Sequence, residues 1–112
     1  MGSALRVELL YVEGCPSQAA LRPQLQRLLL EAGVLEPVVD RLVESESAAR
    51  AERFLGSPTV RVQGRDVDPT AAGRTDYGLS CRLYATPAGL RGTPPLEWVR
   101  AAIAAARARP QP

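Results

Sequence analysis

A chain of 112 residues, 46% hydrophobic and 23% charged, is long enough for one folded core and too short for two. Its 14 Arg against 12 Asp and Glu leave a formal charge of +2, spread from Arg6 to Arg109 without a basic stripe, which argues against nucleic acid as a partner. His and Lys are absent, so His-based triads and dyads, Cys/His zinc sites, Schiff-base chemistry and a P-loop lysine are all excluded within the chain.

No apolar run approaches the roughly eighteen residues a membrane span needs, so no membrane is expected as a partner. Met1-Gly2-Ser3-Ala4-Leu5-Arg6 lacks the charged-then-apolar pattern of a signal peptide, and a cytoplasmic location is expected. In chain order, Leu5 to Val12 is β-rich and predicts a first strand. Gly14-Cys15-Pro16 follows, and from Ser17 to Ala32 the apolar residues Ala20, Leu21, Leu25, Leu28 and Leu29 recur at helical spacing, with Gly33 as the stop. Pro23 interrupts that pattern and predicts a kink or a late start. Pro37 to Val43 alternates as a second strand, and Ser45 offers an N-cap for a helix running through Phe54 and Leu55 to Gly56.

The run from Ser57 to Pro69 predicts a strand after Pro58, a turn at Gln63-Gly64 and a short returning strand. Residues 70–92 are rich in Gly, Thr, Ala and Pro, carry Cys81, and show no readable period. Thr93-Pro94-Pro95 opens a last helix with Leu96, Val99 and Ile103 on one face and Trp98 beside it. The expected architecture is α/β, a central mixed sheet flanked by helices in the order β-α-β-α-β-β-α. It forms one domain over residues 1–106, with 107–112 as a frayed tail.

Cys15 stands where a strand ends and a helix begins, and the unpaired N–H groups and dipole of a helix start favour a thiolate there. Pro16 suits the first helical position, and Ser17 and Gln18 are read as capping residues. Cys81 lies between Leu79 and Leu83, so core packing and function are both open for it. Glu13 and Arg82 are read as solvated charges, and Tyr84 and Trp98 as core or cover residues.

The element order, with Gly14-Cys15-Pro16 after the first strand and Ser57-Pro58-Thr59 before the third, resembles the thioredoxin-like superfamily over roughly residues 5 to 106. The same elements, together with Cys81-Arg82-Leu83-Tyr84, are similar to small bacterial proteins described as thioredoxin-family or alkylmercury-lyase-like. The resemblance implies a thioredoxin-like fold and a cis Ser57–Pro58 peptide. It also implies a substrate groove formed by Pro16, Ser17, Gln18, Ser57, Pro58 and Thr59. One departure is plain: Gln18 stands where the family's Cys-x-x-Cys motif has its second thiol, so no local disulfide can form.

What the resemblance then implies is a thiol-dependent redox protein acting on a disulfide or a peroxide, with Cys15 as nucleophile and Cys81 as resolving thiol. Its partners would be small-molecule thiols or disulfides, or a protein disulfide, and no cofactor is expected. A second reading gives Cys15 and Cys81 to a soft metal such as Hg(II), or to an alkylmercurial whose leaving carbon Asp66, Asp68 or Asp76 would protonate. A static Cys15–Cys81 disulfide and a non-catalytic binding module on the same scaffold stay open, as does the choice between monomer and homodimer.

Overall fold

The structure, a computed structural model, describes residues 5–109. Met1 to Ala4 of the expected leaderless start and Pro110 to Pro112 of the expected tail lie outside the described residues.

Strand β1 (Val7–Tyr11) leads into helix α1 (Pro16–Glu31), which returns the chain to β2 (Val39–Leu42), parallel to β1. A parallel neighbour needs a crossover of this kind, and α1 supplies it. Helix α1 closes with the Val34 N–H donating to the Leu29 carbonyl at 2.8 Å. Pro23 lies inside α1, where its ring leaves the Ala19 carbonyl without the usual helical donor. The interruption is accommodated in the helix rather than marking its start.

Helix α2 (Glu46–Ala51) is capped by Ser45, whose Oγ accepts from the Ala48 N–H at 3.0 Å. It stops short of the expected Phe54 and Leu55 because Arg53 takes φ +56, and Phe54 then drops fully buried into the core. Strands β3 (Thr59–Val62) and β4 (Arg65–Asp66) form the expected hairpin. The positive φ of +52 at Gln63 and +79 at Gly64 give the two-residue turn the hand that matches strand twist. The sheet order is β2-β1-β3-β4, with β3 antiparallel to both β1 and β4.

Residues 70–92 hold a 3-10 turn (Ala71–Gly73) and a separate hairpin of β5 (Tyr84–Thr86) and β6 (Gly89–Arg91), neither of which the sequence predicted. Helix α3 (Leu96–Ala108) follows, so Arg107 and Ala108 belong to the helix and not to a tail.

Alternation along the strands assigns the two faces of the sheet. Val7, Leu9, Val60 and Val62 meet Leu21, Leu25 and Leu29 of α1 and Val99 and Ile103 of α3 in the main core. Each such side chain contributes about 1.5–3 kcal/mol by leaving water. On the other face Leu10, Val43, Ala49 and Phe54 form a smaller cluster under α2. Beyond the reach of this short helix that face is polar. Glu8, only 4% exposed, is held there by Arg41 at 2.9 Å and Arg6 at 3.3 Å. The domain is therefore a mixed α/β three-layer unit. Among the described residues no helix is long and apolar enough to cross a membrane.

Candidate functional site

Cys15 is the N-cap of α1, with φ −74 and ψ 110, and Pro16 takes the first helical position. Its N–H donates to the Val12 carbonyl at 3.3 Å, while its side chain makes no capping hydrogen bond. No acidic residue sits in the first turn of α1, so nothing there neutralises the positive end of the helix. The thiol is free and buried, at 9% exposure. Glu13 is exposed, as expected for a solvated charge.

The Ser57–Pro58 peptide is cis. Ser57 joins three segments: its Oγ accepts from the Val12 N–H at 3.1 Å, its N–H donates to the Ser80 carbonyl at 2.8 Å, and its carbonyl accepts from the Arg82 N–H at 3.0 Å. The last two form a parallel bridge between Ser57 and Cys81. The segment before Cys15 and the segment holding Cys81 therefore dock on one residue. Cys81 is free and exposed, so core packing is not its role.

Residues 80–92 leave Ser57 and come back to the thiol helix. A Cβ added at Gly92 would stand 2.9 Å from Ser17 Oγ. Of the expected groove residues, Pro16 is exposed and Ser17 and Gln18 are half-buried, but Ser57, Pro58 and Thr59 are buried. These three brace the site rather than line it. Thr59 Oγ1 donates to the Gly56 carbonyl at 2.6 Å and accepts from Arg82 Nη1 at 2.9 Å, and Tyr84 donates its hydroxyl to the Pro58 carbonyl.

Arg82 corrects the sequence expectation most sharply. Its side chain is 0% exposed, not solvated. Nη1 lies 2.6 Å from Asp66 Oδ2, Nη2 lies 3.4 Å from Asp68 Oδ2, and the guanidinium stacks 4.4 Å from the centre of the Tyr84 ring. Tyr84 in turn packs edge-on against Trp98, and of the core or cover roles expected of the two aromatics Tyr84 takes the first, fully buried, and Trp98 the second, partly buried against the core. Burial pushes the Tyr84 phenol far up, which keeps it a hydrogen-bond donor.

A buried cation needs paired partners, and the two carboxylates supply them. Burial pushes the Asp68 carboxyl up, but donation from the Thr70 N–H and hydroxyl, with the Arg82 charge, outweighs that and leaves it below the ordinary carboxylate value. Asp76 is held low chiefly by its hydrogen bond from Arg74. Asp66, Asp68 and Asp76 are thus each bound to an arginine, and the lowered Asp68 and Asp76 carboxyls are poor proton donors. Sequence reasoning missed this network because its signal, a charged residue in an alternating stretch with exposed neighbours, reads as surface.

Among the described residues no three His, Cys, Asp or Glu side chains gather to hold a metal ion. No protein-family model, curated protein or solved structure matches the chain.

Proposed function

We propose that this is a thioredoxin-like, thiol-dependent redox domain in which Cys15 is the nucleophile and Cys81 the resolving thiol. The observation that carries the reading is the docking of both cysteine segments on Ser57, with Cys15 at the positive end of a 16-residue helix. A helix N-terminus favours an anion at that position, and the thiolate is the attacking form. Cys15 sulfur attacks a substrate disulfide, forming a mixed disulfide and releasing one substrate thiol. Cys81 sulfur then attacks the Cys15 sulfur, forming a Cys15–Cys81 disulfide and releasing the second substrate thiol. The substrate is reduced by two electrons and the protein is oxidised by two. The entering sulfur meets exposed Pro16 and Cys81 first, since Pro58 is covered.

The test treats two samples of the reduced chain, one with an alkylating agent and one with glutathione disulfide, each read by peptide mass spectrometry. Cys15 is expected to alkylate faster than the more exposed Cys81, and oxidation to link the two. Cys15→Ser abolishes both insulin reduction and the link. Slow alkylation of Cys15 with no linked peptide sinks the redox reading and leaves a binding scaffold.

A second reading rests on the same two free thiols. A soft metal such as Hg(II) prefers thiolate ligands. With Asp66, Asp68 and Asp76 bound to arginines, this reading is capture without carbon–mercury cleavage. It predicts stoichiometric Hg(II) binding that requires both cysteines.

A further inference from the structure

We propose that the open, polar face of the sheet binds a small anion, one that joins a carboxylate or phosphate group to a flat apolar body. Because α2 ends at Ala51, this face keeps a cavity of about 520 Å³ between the residues after α2, strands β3 and β4, and the 68–77 segment. That is the size of a small-molecule site.

The charges around it are unequally committed. Three carboxylates line the cavity, and all three are already bound: Glu52 by Arg41 at 2.6 Å, and Asp66 and Asp68 by the buried Arg82. Four arginines line it as well. Arg61 is fixed by the Glu52 and Arg53 carbonyls, and Arg74 by Asp76 at 2.6 Å. Arg53 and Arg65 have no ion pair or side-chain hydrogen bond among the described residues, and both are exposed.

The backbone presents these two cations. Arg53 follows α2 in the left-handed conformation, its carbonyl accepting from Arg61, and Arg65 opens β4 directly after the tight turn. A guanidinium fork matches the paired oxygens of a carboxylate or phosphate. Leu55, Pro69, Ala71 and half-buried Tyr77 supply an apolar wall beside them. Polar recognition on one side and an apolar wall on the other select an amphiphilic anion over a bare ion. The inference is independent of the thiol reading.

The test is an NMR titration of the isotopically labelled full chain with phenyl phosphate, benzoate and inorganic phosphate. Phenyl phosphate or benzoate is expected to give a curved single-site isotherm with half-saturation below about 10 mM, where a ligand of roughly ten heavy atoms falls at ordinary ligand efficiency. The shifts should centre on Arg53, Arg65 and Tyr77. Either head group binding upholds the proposal, and comparing the two tells which is preferred. Arg53→Gln and Arg65→Gln should each weaken binding about five- to tenfold, as expected for loss of one charge-assisted contact, whereas Arg100→Gln on α3 should not. Shifts that stay linear to about 10 mM, or an unchanged affinity in Arg65→Gln, overturn the site. Inorganic phosphate binding as tightly as phenyl phosphate overturns the flat apolar body.

Discussion

Replacing Arg82 by Met keeps most of the stem and removes the charge. The variant loses the contacts to Asp66 at 2.6 and 3.2 Å, to Asp68 at 3.4 Å and to Thr59 at 2.9 Å, and the stacking on Tyr84 at 4.4 Å. The larger effect is on what stays behind: Asp68, 6% exposed at its side chain, and Asp66, at 15%, remain as neighbouring negative charges stripped of the arginine that pairs them. Breaking a buried pair from one side costs about 3–5 kcal/mol. A sulfur against the Tyr84 ring recovers a fraction of the lost stacking. Arg82 Nε is buried without a partner among the described residues, so its removal relieves a desolvation cost. We therefore expect a net loss of about 3–4 kcal/mol in urea unfolding at pH 7, a large share of the 5–15 kcal/mol of a typical domain. Tm should fall by roughly 10–20 °C. Adding Asp66→Asn and Asp68→Asn should recover more than half of the loss, because the uncompensated charges are then gone. A single-variant loss below about 1 kcal/mol, the value of an exposed pair, would refute the reasoning.

Three further outcomes follow from the same structure. Gly56→Ala would place a Cβ 2.9 Å from the Arg82 Cβ and 3.1 Å from the Ser80 carbonyl, at a φ of +129 that side chains avoid. It should cost about 2–4 kcal/mol in chemical denaturation, and a loss near zero would mean the Cys81 segment yields easily. Pro23→Ala restores a donor for the Ala19 carbonyl and should raise stability by about 1–2 kcal/mol after allowance for the freer unfolded chain; a loss of stability would contradict that account. Acid supplies the third. Asp68 is depressed in the folded state, so its contribution is fully present above the ordinary value of 3.8 and disappears as pH falls below that through the lower folded value. Asp68→Asn should flatten the loss of stability over that interval, and parallel profiles for the two proteins would count against it.

How much was legible in the sequence differs from element to element. The strand–helix order through Val62 follows from local periodicity. Ser45 caps α2 and Gln63-Gly64 turns the hairpin because each acts through a few neighbouring backbone groups. Cys15-Pro16 marks the start of α1 for the same reason. The thioredoxin-like reading grows from that order, and the alkylation experiment tests the thiol chemistry proposed on it. The end of α2 differs from the sequence expectation because Phe54 and Leu55 continue a helical pattern, while the burial of Phe54 is decided by Leu10 on β1 and Val43 just after β2.

Residues 81–84 show where sequence stops and tertiary structure takes over. Cys81 and Leu83 are exposed while Arg82 and Tyr84 are buried, so the stretch has the two-residue period of a strand with a charge on its inner side. Hydrophobicity along the chain cannot assign that side. Asp66 and Asp68 decide it from another strand and its flanking turn, since together they make the interior a lower-energy place for a guanidinium than water would suggest. Dihedral preference, capping and alternation act over a few residues and could be read from the chain alone. Charge compensation acts across space, and only the folded arrangement brings the cation and its carboxylates together.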